Sequence, residues 1–517
     1  MSVQLSIGSG IASFDEPLQR LVSERVAGRI FERDAALWGR PAEPEAAIRL
    51  GWTDFIRTAE QLIPRIDGLR AELLSQGVDR FVLCGMGGSS LAPAVITRWA
   101  GVELTMIDST HPDAVRRVLD PEALARTAVV VSSKSGSTIE TRSHLAAFTE
   151  AFRGAGIDPA DRIVIVTDPG SPLDGESRAA GRRVFTADPH VGGRFSALTA
   201  FGLVPAGLAG ADLRTLVADA QRVRASLASD TTENPALRLA AAISAGLPER
   251  FVLAVSEVDG SDWGFGAWIE QLVAESTGKE GRGVLPIALP VSSAEFATPP
   301  DNTLRVRTGA DLPSSDGDWE LATAGALGAQ ILTWEVATAA LGRIMGIDPF
   351  DQPDVEAAKV AARAALGAPS EERGTSVDPP APVRLAEQVR GAVPRGGYLA
   401  IQAYVDPAGR CAAALRRLRE RLAAALGVPV ALGFGPSYLH SVGQLHKGGP
   451  ALGAFLQVIE VADRDLMIPG GESSFGALIA AQARGDRDVL RERGRPVLVL
   501  ALAGPNDSSL DEFLAAL

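Results

Sequence analysis

Two rhythms of apolar and polar positions run along this chain. Up to residue 76 the two kinds mix at helical spacing, and 15–31 and 53–74 predict helices. From residue 80 the rhythm changes to short apolar runs separated by helical stretches. The runs 80–84, 104–107, 129–131, 162–167 and 183–186 predict five strands, the last the weakest, with a helix over 139–152 among the segments between them. Val129, Val130 and Val131 are β-branched in succession, which suits a strand covered on both faces. Strands alternating with helices predict the α/β class, a mainly parallel sheet flanked by helices on both faces. Ligands of such sheets sit beyond the carboxyl ends of the strands. Two unusual loops follow strands there, Gly85-Met86-Gly87-Gly88-Ser89-Ser90 and Ser132-Ser133-Lys134-Ser135-Gly136-Ser137-Thr138.

The pattern then repeats in kind, though not as a short tandem repeat. A helical region over 211–245 leads to predicted strands at 250–255, 284–287 and 304–306, then a helix over 319–345. Residues 367–394 collect Pro, Ser, Gly and charge and read as an exposed connection. Strands at 398–405, 455–461 and 496–502 follow, with a helix over 410–426. The division expected is a helical segment over 1–76, a first α/β domain over 77–210 and a second over 211–517. A chain of 517 residues is long enough for that.

Charge narrows the class of ligand. The net charge of −13 argues against a general surface for nucleic acid or anionic membrane, so an anionic metabolite must be held by local charge. Two cysteines, Cys84 and Cys411, fit a reducing compartment and not a disulfide framework. Nothing near Met1 resembles a signal peptide, and no apolar run reaches membrane-spanning length. A cytoplasmic protein is expected.

The loop after Val131 carries the clearest chemistry. Ser133, Ser135, Ser137 and Thr138 supply hydroxyls, Gly136 lets the backbone turn, and the next helix aims its free N–H groups at the same spot, a combination that suits a phosphate. An ordinary capped βα loop is the plainer alternative. The turn after Cys84 lacks the third glycine of the dinucleotide fingerprint and the Gly-Lys-Ser/Thr of a P-loop, so it suits a small phosphorylated ligand better than a nucleotide. His190-Val191-Gly192-Gly193-Arg194-Phe195-Ser196 could bring a guanidinium to a ligand or could be a surface turn. On a helix, Gln271 and Glu275 share one face, and a carboxylate in so apolar a stretch could act as a tuned base. Of five histidines, His111 and His144 read as structural and His190 as a weaker candidate. His440 and His446 lie in an unusual segment, Leu439-His440-Ser441-Val442-Gly443-Gln444-Leu445-His446-Lys447.

These strings, with Asp348-Pro349-Phe350-Asp351-Gln352-Pro353 and the run on to Lys359, resemble those of glucose-6-phosphate isomerases, in a stretch from about Phe81 to Gly449. The chain is also similar to the isomerase half of fused transaldolase–isomerase proteins. The resemblance implies two sugar-isomerase (SIS) domains, a homodimer with a shared active site, a hexose 6-phosphate as substrate, and neither metal nor cofactor. It implies that Ser133, Ser135 and Thr138 hold the phosphate with Lys134 nearby, and that Gly87 and Ser89 lie at the sugar end. Glu275 would move a proton between C2 and C1 while Arg194 stabilises the enediolate. Gln271 would position the substrate, and His440 and Lys359 would assist ring opening, His440 matching the family string where His446 does not. Most members place the histidine segment between the glutamate and the lysine. Here the order is Glu275, Lys359, His440, so the second SIS domain is expected to have a rearranged C-terminal portion. Ser135-Gly136-Ser137 also replaces a Thr-aromatic-Thr pattern.

Three alternatives stay open on the sequence: an isomerase that also accepts mannose 6-phosphate, a non-catalytic sugar-phosphate regulator, and an aminosugar enzyme. Glu275 and Arg194 speak against the second. The third would usually bring an amidotransferase with an N-terminal cysteine nucleophile, and none is seen.

Overall fold

The structure is a computed structural model describing residues 3–11, 13–258, 260–313, 319–353, 382–504 and 508–517. Three sheets organise it. In the first, the spatial order is Thr105–Ile107, Arg80–Gly85, Thr127–Ser132, Ile163–Thr167 and Arg183–Thr186, all parallel. Thr127–Ser132 is buried along its whole length, as its valines require. Helices such as Leu91–Ala100 and Ile139–Gly154 make the crossovers. The α/β class with mainly parallel sheets therefore holds.

The second sheet runs Leu285–Ala288, Val252–Glu257, Thr303–Gly309 and Leu321–Ala324 in parallel, with Gln4–Ile7 antiparallel on its edge. Two of these strands differ from the sequence reading. Gln4–Ile7 lies in a segment expected to be helical, and Leu321–Ala324 lies inside the helix expected over 319–345. The helix itself is Leu327–Met345. Gly325, at φ +144°, parts strand from helix within one Ala-rich run, so propensity alone hid the turn.

Residues 211–517, expected as one unit, hold two sheets. The third sheet, Val430–Phe434, Tyr398–Tyr404, Gly453–Glu460 and Val497–Leu502, is parallel, and among the described residues its strands pair only with one another. Val430–Phe434 was not among the predicted strands. Its sequence, Val-Ala-Leu-Gly-Phe, carries a single β-branched residue. The expected connection over 367–394 lies partly outside the described residues, but Pro382–Ala392 is a helix burying Leu385, Ala386 and Val389. The third sheet packs its own core and shares a second one, around Phe251, Tyr398, Tyr438 and Phe455, with the second sheet. Among the described residues no helix is long and apolar enough to cross a membrane.

Candidate active site

A cleft of about 420 Å³ opens at the carboxyl end of the first sheet. That is the size of a small-metabolite pocket. All three units line it, and the loop Ser133–Thr138 forms one wall. Gly136 turns at φ +66° against Leu173 and Ser171, where a Cβ would be 2.8 Å from each side chain. Ser133 donates its hydroxyl to Thr138 at 3.1 Å, and Ser137 donates to Ser135 at 3.0 Å. Thr138 is the N-cap of Ile139–Gly154, yet its side chain makes no capping hydrogen bond. The first N–H groups of that helix are therefore open to an anion.

Lys134 also lines the cleft, but its ammonium is held by Asp168 at 2.5 Å. Burial lowers its pKa, and Asp168 works against that shift. Arg49 stands nearby, paired with Glu45 at 2.7 Å.

At the end of the neighbouring strand, backbone meets backbone. A Cβ on Gly87, which sits at φ +54°, would strike the carbonyl of His440, and one on Gly88 would strike the carbonyl of Gly193. Bare glycine lets the Gly87–Ser89 turn, the Gly193–Arg194 turn and the His440 turn touch. Ser89 lines the cleft beside them.

Helix Phe265–Thr277 brings Gln271 and Glu275 to the same place on one face. Both are buried. Gln271 bridges two units, donating to Glu275 Oε2 at 3.1 Å and to the carbonyl of His440 at 2.8 Å. Burial raises the pKa of Glu275, against the pull of Arg194, Gln271, His440 and Lys279. Arg194 is 2% exposed, with Nε donating to Ser276 Oγ at 2.8 Å and Nη2 to the carbonyl of Pro349 at 2.7 Å. Its Nη1 is buried without a hydrogen-bond partner and lies 3.7 Å from Glu275 Oε1. A buried guanidinium N–H left unpaired beside a carboxylate is a donor waiting for an oxygen.

His440 ends the turn Ser437–His440, which follows edge strand Val430–Phe434. Its Nε2 faces Glu140 Oε1 at 3.3 Å. Ser437 ties the turn to the first sheet by donating to Asp108 Oδ2 at 2.7 Å. The resemblance has the histidine lent by a partner subunit, whereas here His440 reaches the cleft from its own chain. His446 is elsewhere, buried against Tyr398 with Nδ1 2.9 Å from its hydroxyl and its pKa pushed down by burial to about 3. His190 is exposed and outside the cleft lining.

Of the residues singled out by sequence, Gly87, Ser89, Ser133, Lys134, Ser135, Thr138, Arg194, Gln271, Glu275 and His440 all line this one cleft. Lys359 lies outside the described residues. The cleft adds Arg49, Gln352 and, behind His440, Glu140. Glu140 and Gln352 stood within the family strings but drew no notice, since a glutamate in a helix's first turn has a ready structural reason. Arg49 carried no signal, being one arginine of a polar helical segment.

No family model matches the chain. Among curated proteins it is 31% identical over 351 residues to the "Probable glucose-6-phosphate isomerase" of Natronomonas pharaonis, covering 57% of this chain and 80% of that one. It is 28% identical over 394 residues to the glucose-6-phosphate isomerase of Rubrobacter xylanophilus, covering 62% and 89%. Among solved structures, a hypothetical protein of Thermus thermophilus superposes at a TM-score of 0.59 with 26% identity, over 71% of this chain and all of that one. A glucose-6-phosphate isomerase of Chlamydia trachomatis superposes at 0.57 with 20% identity, over 71% and 88%, which shows the shared fold. Alike in fold to the chlamydial protein, and 31% identical to the Natronomonas relative over 80% of its length, the chain belongs to the glucose-6-phosphate isomerase family.

Proposed function

We propose that this chain interconverts glucose 6-phosphate and fructose 6-phosphate by ring opening and proton transfer through a cis-enediol(ate). The observation that carries this reading is the unpaired Nη1 of Arg194 beside Glu275 in a cleft that the hydroxyl loop also lines. A proton next to a carbonyl is weakly acidic, so its removal needs a positioned base and a donor facing the new oxyanion. In this reading the 6-phosphate sits on Ser133, Ser135 and Thr138 at the open helix end, with Lys134 and Arg49 nearby. Glu275 takes the proton from C2 and returns it to C1. The raised pKa of Glu275 brings its proton affinity closer to what that transfer needs. Arg194 Nη1 donates to the oxygen on which charge develops. His440, backed by Glu140, takes the proton of the ring hydroxyl and returns one to the ring oxygen. Lys359 is given its share in that step by the family resemblance alone.

Sharing the site between subunits is unnecessary to this reading. Because His440 comes from the same chain, a homodimer would hold two complete sites, and specific activity should not fall on dilution. Both cysteines are buried and neither is in a disulfide, which supports a cytoplasmic location. The test is a coupled assay of fructose 6-phosphate turnover on the purified chain beside Glu275→Gln. Activity without added metal, falling about 10²–10⁴-fold in the variant, is the expected result. A wild-type chain that binds the sugar phosphate tightly but never turns it over would mark a sensor instead.

A further inference from the structure

We infer that Gln482 is a positioning residue of this site, its amide fixing the Glu140 carboxylate against His440. Gln482 stands on helix Phe475–Glu492, past the stretch that resembles the family. It is 2% exposed. Its Nε2 donates to Glu140 Oε1 at 2.6 Å, the same oxygen that faces His440 Nε2 at 3.3 Å. Its Oε1 accepts from the Thr110 hydroxyl at 2.7 Å. Those two bonds settle the orientation of the amide. Turned over, it would set its own oxygen against a carboxylate.

The physical need is plain. Glu140 is 5% exposed, and a carboxylate so buried stays ionised only if it is paired and hydrogen-bonded. Its place in the first turn of Ile139–Gly154 helps, since the helix N-terminus favours negative charge. His440 gives an opposite charge only when protonated, and in ring opening it must gain and lose a proton. Gln482 supplies a donor that does not titrate, so the carboxylate keeps one direction throughout. The other titratable groups facing Glu140 are His144 on its own helix and Tyr404 from the third sheet. His144 Nε2 is 3.0 Å from the carbonyl of Ser109, and burial lowers its pKa to about 4. Burial raises that of Tyr404 far above the ordinary phenol value, so both are neutral near pH 7. Asp108 lies close to His440 from the edge of the first sheet, and Glu275 faces it from helix Phe265–Thr277. Thus Thr110, Gln482, Glu140 and His440 form one chain of polar contacts that crosses between the first unit and the third three times.

The inference rests on the isomerase reading, and its test separates the two. The full chain is compared with Gln482→Met, Gln482→Glu and Thr110→Val. One readout is kcat and KM for fructose 6-phosphate against pH. The other is the NMR titration of His440 in ligand-free protein, its resonance assigned by its loss in His440→Gln. With that donor gone the ionised Glu140 leans on the protonated His440 alone, so its own protonation, and with it the acid limb, moves to higher pH, and the imidazolium paired with it gives up its proton at higher pH too. For Gln482→Met the expected shift is about one unit, with kcat down roughly ten-fold and KM little changed, the size of one hydrogen bond to a charged group. Gln482→Glu sets a second carboxylate against the first and shifts the titration further. Thr110→Val, which loosens the amide without deleting it, moves both readouts in the same direction by less, and carries the test if Gln482→Met folds poorly. An unchanged His440 titration in Gln482→Met and Gln482→Glu overturns the inference. A wild-type chain inactive on fructose 6-phosphate, whose His440 titration still shifts in Gln482→Met, sinks the isomerase reading and keeps Gln482 as the group that sets this pair.

Discussion

The first and second sheets end in the same way and do different work. In each, a strand runs out at its carboxyl end, a loop turns, and a helix begins. After Thr127–Ser132 the loop offers hydroxyls, and helix Ile139–Gly154 starts with no side-chain cap. After Val252–Glu257 the strand's own last residue fills that place. Glu257 accepts from the backbone N–H of Trp263 and of Phe265, each at 2.5 Å, at the start of helix Phe265–Thr277. A cleft opens there too, and it is the larger, about 760 against 420 Å³. Size is thus a poor guide. The seat where a helix end would greet an anion is already taken by a carboxylate of the chain. With that end closed, the helix serves through its far end, where Gln271 and Glu275 enter the first sheet's cleft. One topology leaves a helix end open beside the cleft in one place, and in the other makes a strut that carries Gln271 and Glu275 into it.

The comparison can be broken at several strengths. The largest effect is expected where the strut meets the cleft. Arg194→Met removes the only unpaired donor beside Glu275 among the described residues, and kcat should fall about 10²–10³-fold in steady-state assay. An effect confined to KM would move Arg194 from the chemistry to binding. Next comes the open loop. Ser133→Ala should raise KM roughly ten-fold at nearly constant kcat, since a phosphate is gripped alike in ground and transition states. The closed seat should answer in stability and not in rate. Glu257→Ala should cost about 1 kcal/mol, the value of a helix cap, read as a lower melting temperature with kcat/KM unchanged. A rate loss there as large as that of Ser133→Ala would show that the second cleft also handles substrate. The smallest effect is one of pH. Burial raises the Glu257 carboxyl above its ordinary range, against the N–H groups that lower it. The folded chain then holds that proton more tightly than the unfolded one. This contribution is full below the ordinary glutamate pKa and is lost as pH rises through the raised value. A series of melting temperatures across that range should be flatter in Glu257→Gln than in wild type.

What could be read ahead of the structure follows the same line between local and distant causes. The hydroxyl loop was legible because its hydroxyls, its glycine and the following helix are contiguous, and the geometry of a phosphate cradle is local. The five strands of the first sheet were legible because burial on both faces forces unbroken apolar runs. Leu321–Ala324 was not, because Leu-Ala-Thr-Ala reads on into an Ala-rich helix and only Gly325 marks the turn. The face shared by Gln271 and Glu275 was visible at four-residue spacing, but nothing in the string tells that the face looks into a cleft. The partners of Glu140 lie 300 and 342 positions away, at His440 and Gln482, and no periodicity reaches that far. That the strands of 398–502 pair in a sheet of their own was hidden for a similar reason. Pairing partners are chosen by tertiary packing, and a strand's sequence does not name its neighbour.

Gly87 and Gly88 mark a place where the whole arrangement can be pried apart by one carbon. Of the three segments that meet there, the Gly87 and Gly193 turns belong to the first sheet's unit and the His440 turn to the third's, and each unit keeps its own sheet whatever happens at the seam. A methyl group at Gly88 is a wedge, not a hole. It leaves every hydrophobic core filled and pushes the Arg194 turn away from its neighbours. Evolution can therefore spoil this cleft without unfolding the chain, and a descendant built that way would still keep the hydroxyl loop intact.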